Sequence, residues 1–172
     1  MDIKQHSEFI TVTCLEWKMV LEDDANKDII IESLRFLAKE ERAIIYGFVI
    51  MDNHFHMIWQ MVGDHLRENV QRDFLKFAGQ QILKRLRNIN SNLLPTLLVQ
   101  AMDRKYQVWE RNSLGIALWS SDVFIQKLNY IHTNPVRAGL CKNSDEYKYS
   151  SARFYETGEK KEWNFLTHYR GE

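Results

Sequence analysis

The chain has 172 residues, 45% of them hydrophobic and 27% charged, which suits one globular domain with a buried core. Its 23 basic and 23 acidic side chains cancel to a formal charge of +0. That excludes a uniformly basic nucleic-acid surface, so any phosphate site must come from local segregation of charge. No apolar run approaches the roughly 18 residues of a membrane span. The start, Met1 to His6, lacks the basic-then-apolar order of a signal sequence, and Cys14 and Cys141 build neither a disulfide framework nor a cysteine metal site. A cytoplasmic protein without a membrane partner is expected.

Taken in order, Phe9 to Trp17 is rich in β-branched and aromatic residues and reads as a first strand. The polar break Asp23-Asp24-Ala25-Asn26 precedes a helix from Lys27 to about Lys39, with Ile30, Leu34, Phe36 and Leu37 at helical spacing. Ile44 to Met51 and His54 to Met61 read as two strands joined by a tight hairpin at Asp52-Asn53.

In the second of these strands alternate side chains share a face, so His54 and His56 point one way and Phe55, Met57 and Trp59 the other, toward a core. Two imidazoles at this spacing stand about 6.5–7 Å apart at their backbones and can converge on one metal ion. A His-x-His pair alone is more often a half-exposed polar feature than a site, and needs a second constellation beside it.

Leu66 to Asn88 is a long second helix with an apolar stripe of Val70, Phe74, Phe77, Ala78, Gln81 and Leu86, weakened at Gly79. Asn90 to Thr96 is a turn region, and Leu97 to Met102 is ambiguous between helical turn and strand. Gln107 to Glu110 and Ile116 to Trp119 flank a break at Asn112-Ser113 and supply the edge strand. Ser120 or Ser121 caps a third helix, with Asp122 in its first turn. Phe124, Leu128 and Ile131 form its buried stripe, while Tyr130, Lys127 and Asn134 share another face. His132 points roughly 200° away from Tyr130 around the helix and reads as structural. Asn134 precedes Pro135, which places it at a frayed helix end. Beyond Tyr155 the charged run Glu156 to Glu162 reads as a peripheral tail, from which Trp163 to Leu166 can return as an edge segment.

The β-α-β-β-α-β order predicts an α+β, ferredoxin-like antiparallel sheet with helices on one face, followed by the third helix. Asn53-His54-Phe55-His56 together with Tyr130-Ile131-His132-Thr133-Asn134-Pro135-Val136-Arg137-Ala138-Gly139-Leu140 resembles the single-tyrosine HUH transposases, and within them the REP-associated tyrosine transposases. The resemblance runs from about residue 8 to residue 155. It implies the same fold and one transposase domain over the whole chain. It implies Tyr130 as nucleophile, His54, His56 and Asn134 as ligands of Mg²⁺ or Mn²⁺, and a 5′-phosphotyrosine intermediate on hairpin-flanked single-stranded DNA. Asp52 departs from the family, which often has proline there; its carboxylate can raise metal affinity or cap the turn.

Candidate DNA contacts are Arg67, Arg72, Lys76, Lys84, Arg85 and Arg87 on the second helix, Arg104, Lys105 and Arg111 after it, and Lys127 and Arg137 around the third; a solvated helix face explains such a run as well. Trp109, Trp119, Tyr106 and His132 are candidate stacking residues, or buried aromatics. A domesticated DNA-binding module of the same fold and a small metal hydrolase are the competing readings. A homodimer, with Tyr130 acting in its own or a partner subunit, stays open.

Overall fold

The computed structural model describes residues 6–171. Of Met1 to His6, read above for a signal sequence, residues 1–5 lie outside the described residues. Four antiparallel strands, β1 (Glu8–Thr13), β2 (Ala43–Ile50), β3 (His54–Met61) and β4 (Leu114–Ala117), form one sheet in the order β2-β3-β1-β4. Around it stand helices α1 (Asp24–Lys39), α2 (Arg67–Asn88), α3 (Ser121–Arg137) and α4 (Ala152–Thr157). This is the ferredoxin-like α+β arrangement the element order predicts.

The two sheet faces are closed by different helices. On one, Ile10, Val12, Phe55, Met57 and Trp59 join the apolar stripes of α1 and α2 in the main core. On the other, Phe9, Val49 and Ile58 pack against Phe124, Leu128 and Ile131 of α3. Period-two alternation along β3 therefore sorts His54 and His56 to the α3 side, beside β1, where Thr11 pairs with His56 and Thr13 with His54. Gly47 on β2 is where α3 comes closest: a Cβ there would lie 2.7 Å from Leu128 Cδ1 and 3.2 Å from Ser151 Oγ.

The structure differs from the sequence reading in several places: α1 already begins at Asp24, capped by Asp23, and β4 is Leu114–Ala117 rather than Gln107–Glu110 with Ile116–Trp119. β1 ends at Thr13, and Leu15–Trp17 is a 3₁₀ turn in which Glu16 (φ 51°) and Trp17 (φ 57°) both take left-handed backbone, at roughly 1–2 kcal/mol per residue. Long-range contacts impose this bend: Leu15 N–H donates to the Val108 carbonyl at 2.8 Å, and Glu16 N–H to Glu110 Oε1 at 2.6 Å. On α2 the buried row is Val70, Phe74, Ala78, Ile82 and Leu86, spaced by four, and Phe77 is exposed. The third helix does not stop at Asn134 but runs through buried Pro135 to Arg137 and closes with Leu140 N–H on the Pro135 carbonyl at 2.9 Å. Proline inside a helix loses an N–H donor and crowds the carbonyl one turn back, and the docked helix absorbs that cost. The tail is exposed over 156–162 and then returns as the sequence allowed: Trp163, Phe165 and Leu166 are buried, and Thr167 N–H donates to the Ile45 carbonyl at 2.9 Å beside β2.

Candidate active site

The hairpin before β3 is fixed from three sides. Lys27, buried on α1, donates from Nζ to Asp52 Oδ1 at 2.8 Å and so engages the Asp52 carboxylate. Leu21 N–H donates to the Asp52 carbonyl at 2.8 Å and Cys14 N–H to the Asn53 carbonyl at 2.9 Å. On this rigid corner His54 Nδ1 donates to the Asn53 carboxamide oxygen at 2.7 Å, which leaves Nε2 with its lone pair.

His56 is held in the same manner one pleat further on. Its Nδ1 lies 2.8 Å from Thr11 Oγ1, and with Nδ1 donating to that hydroxyl Nε2 again keeps its lone pair. That Nε2 is buried and has no hydrogen-bond partner. A polar atom left this way costs free energy unless something outside the protein satisfies it. Burial lowers the pKa of both rings, and that of His56 falls to about 3, so at neutral pH both are uncharged, as a metal ligand must be. The two ring centroids are 4.9 Å apart. Phe9, stacked on His56 at 5.3 Å and 19°, forms the floor.

Across the cleft, α3 presents Tyr130. Its ring stands edge-on to His56, with centroids 5.3 Å apart, and edge-on to Phe9 at 6.0 Å. Lys127 Nζ and Arg137 Cζ each lie 5.7 Å from the Tyr130 ring centroid, so two cations flank the phenol. Asn134 is half-buried one turn on, and no hydrogen bond engages its carboxamide among the described residues. No group of three or more His, Cys, Asp or Glu side chains able to hold a metal occurs among the described residues, so a third protein ligand at this site must come from another residue type. An orphaned imidazole nitrogen, a second neutral imidazole beside it and an uncommitted carboxamide fit a divalent ion that keeps open positions for water and phosphate.

His132 points the other way, as its helical phase predicts. It is buried, with Nε2 2.9 Å from Ser151 Oγ and its ring 5.3 Å from that of Tyr155, and burial lowers its pKa to about 4. It is therefore unavailable for stacking on a base. So is Trp109, whose Nε1 donates to the Leu75 carbonyl at 2.9 Å. Tyr106 is covered by Arg87 and Lys105, whereas Trp119 is 74% exposed.

The remaining candidate cations fall into groups away from Tyr130. Arg67, Arg72, Lys76, Arg104 and Arg111 line an open groove of about 900 Å³ between α2 and residues 103–113. Its wall carries Gly79, where a Cβ would meet Trp109 Nε1 at 3.2 Å, so the α2 glycine makes room for the indole. Several of these cations have carboxylate neighbours: Arg67 with Glu8 at 3.1 Å, Arg72 with Asp73 at 3.0 Å, and Arg104 and Arg111 with Asp103. Arg85 is committed to Asp23, at 2.6 Å, and to Asn26. Lys76, Lys84, Arg87 and Lys105 have no ion pair among the described residues.

Sequence reasoning did not single out Phe9, Thr11, Asn53 or Trp17 for the site. Asn53 adjoins the histidines and carried a usable signal; the other three reach the site through the β1–β3 register and the turn after β1, neither of which is written in local sequence.

No family model and no curated protein matches the chain. Among solved structures, the chain is similar to that of a REP-associated tyrosine transposase bound to a REP hairpin, with a TM-score of 0.66, 17% identity, and coverage of 92% of this chain and 84% of the other. A Deinococcus radiodurans protein provisionally described as a transposase aligns with a TM-score of 0.49 and 11% identity over 72% of this chain and 87% of its own. No helix among the described residues is long and apolar enough to cross a membrane. With one four-stranded sheet, two helices on one face and a tyrosine-bearing helix on the other, the chain has the fold of a REP-associated tyrosine transposase.

Proposed function

We propose that the chain is a REP-associated tyrosine transposase, a DNA nicking and joining enzyme that acts on single-stranded DNA next to a hairpin through a 5′-phosphotyrosine intermediate. The observation that carries this reading is the meeting of β3 and α3, where the Tyr130 ring stands edge-on to that of His56, whose buried Nε2 has no partner. The printed description of the similar structure, bound to a REP hairpin, supports hairpin DNA as the partner.

His54, His56 and Asn134 would hold Mg²⁺ or Mn²⁺, which when bound supplies charge neutralisation at a non-bridging oxygen of the scissile phosphate. The chain's own residues do the rest. The Tyr130 oxygen attacks phosphorus, a bond forms between them, and the phosphorus–O3′ bond breaks. The departing 3′ oxygen takes up a proton and becomes a free hydroxyl, and the phenolic proton is lost to solvent. Lys127 and Arg137, which flank the ring, stabilise the phosphate charge that gathers in the transition state. Thr11 and Asn53 hold the ring angles of the histidines. Because the phosphotyrosine link conserves the phosphodiester, the 3′-hydroxyl of another strand can reverse the step and join DNA.

Incubation of the protein with a hairpin oligonucleotide carrying a single-stranded flank and Mn²⁺ tests this. A denaturant-resistant protein–DNA band, absent with EDTA and absent for Tyr130→Phe, is expected. A flank cut without any covalent band would instead favour water as nucleophile and the hydrolase reading.

A further inference from the structure

We propose that Trp17 is a stacking platform for one unpaired nucleobase of the strand that Tyr130 cuts; the inference deepens, and rests on, the reading above. Trp17 is 59% exposed and meets the His54 ring edge-on at 5.7 Å, so an exposed indole lies beside a candidate ligand of the metal ion. A nucleotide's base lies one sugar away from its phosphate, which brings a base next to that phosphate within reach of the indole. A large aromatic left in water beside a phosphate-binding cleft matches the way single strands are held without hydrogen-bond readout.

The backbone supports the same assignment. Glu16 and Trp17 are consecutive non-glycine residues in left-handed conformation, at φ 51° and 57°. Such geometry persists only where the surroundings impose it, and it concentrates at functional sites. Here the imposing contacts are specific: Trp17 N–H donates to the Cys14 carbonyl at 3.0 Å, Lys18 N–H to the Leu15 carbonyl at 3.0 Å, and Glu16 N–H to Glu110 Oε1 at 2.6 Å. A strand continuing straight would have alternated Trp17 in register with its neighbours; the turn instead delivers it beside His54. The clamp also gives the platform a second neighbour. Glu110 precedes Arg111, and both line the cationic groove with Arg104 and Lys76. The turn that carries Trp17 is thus tied through Glu16 and Glu110 to the segment that lines the groove.

The test is equilibrium binding, by fluorescence anisotropy, of the Tyr130→Phe protein and of the same protein with Trp17→Ala or Trp17→Phe. Mn²⁺ is present, and the probes are hairpin oligonucleotides whose single-stranded flank carries an abasic site at each position in turn. One abasic position should weaken Tyr130→Phe binding by about 5- to 100-fold, and the same lesion should cost Trp17→Ala almost nothing. Trp17→Phe should restore part of the penalty. Because Trp17 is exposed, the melting temperature of Trp17→Ala should stay near that of its parent. Equal abasic penalties with and without the indole overturn the platform. If the wild-type chain still forms the covalent adduct in that case, the transposase reading stands and only the platform falls; no adduct and no affinity for any flank overturns both.

Discussion

Tyr130 differs from the other tyrosines near the site in what its hydroxyl is committed to. Tyr147 donates to the Ile50 carbonyl at 2.8 Å, Tyr149 to Asp28 Oδ1 at 2.9 Å and Tyr155 to the Tyr46 carbonyl at 2.8 Å. Burial pushes all three phenols up from their usual range, and each ties the chain after α3 to the body of the protein. The Tyr130 hydroxyl has no hydrogen bond among the described residues. Tyr130→Phe is therefore expected to remove the covalent adduct with less than about 1 kcal/mol of stability change, whereas Phe at 147, 149 or 155 should cost about 1 kcal/mol each and leave the adduct in place. A trapped adduct whose nucleotide maps to a peptide containing Tyr147 or Tyr149 would overturn the assignment. Thr11 supplies a second residue-scale expectation. Thr11→Val removes the partner of His56 Nδ1 and should weaken Mn²⁺ binding by roughly 10- to 100-fold, read by titration, with adduct formation recovering at saturating Mn²⁺. The His-x-His spacing and the helical phase of Tyr130 against Asn134 could be read from sequence, because both are short-range. Thr11 and Phe9 could not, since the residue opposite His56 depends on strand register.

At the scale of elements, the site depends on how α3 lies on the sheet. Leu128 rests on Gly47, and His132 reaches over β2 to Ser151, whose hydroxyl also accepts from Phe48 N–H at 3.0 Å. Gly47→Ala should displace Leu128, lower stability by about 1–3 kcal/mol in urea unfolding and slow adduct formation by moving Tyr130. His132 adds a pH dependence with a definite sign. Its folded pKa, about 4, lies below the unfolded value near 6.5, so between these pH values the unfolded chain binds more protons. Stability is full above about pH 6.5 and falls as the pH is lowered toward 4, by about 2–3 kcal/mol from this group. The difference in unfolding free energy between wild type and His132→Gln should shrink over that range; a constant difference would show that His132 does not titrate there. The helices and the central strands followed from periodicity. The left-handed turn at Glu16-Trp17 did not, because β-branched and aromatic composition favours a strand and only the distant Glu110 and Val108 bend it. The helix likewise continues through Pro135 because packing outweighs the local bias against it.

For the whole molecule, a net charge of zero conceals a division of labour across the sheet. Lys127 and Arg137 stand beside Tyr130 on α3, while the α2 cations are carried on the opposite face, half of them around the groove. Counting charges along α2 suggested a basic surface but could not separate free cations from committed ones. Arg85 illustrates the difference: it bridges α2 to the cap of α1 through Asp23, where Asp23 also accepts from Ala25 N–H at 2.9 Å. Arg104 and Arg111 share only the exposed Asp103, a pairing worth little in water and readily exchanged for phosphate. If the groove receives the hairpin, replacing Lys76, Arg104 and Arg111 together by Ala should flatten the slope of log affinity against log salt by about one unit per lost phosphate contact. Arg85→Ala should leave that slope unchanged and instead lower the unfolding free energy, since it strips the α1 cap of its cation. Measuring both variants on one hairpin probe at four salt concentrations separates the two roles. A slope altered by Arg85→Ala and untouched by the triple replacement would move the duplex from the groove to the α1–α2 side.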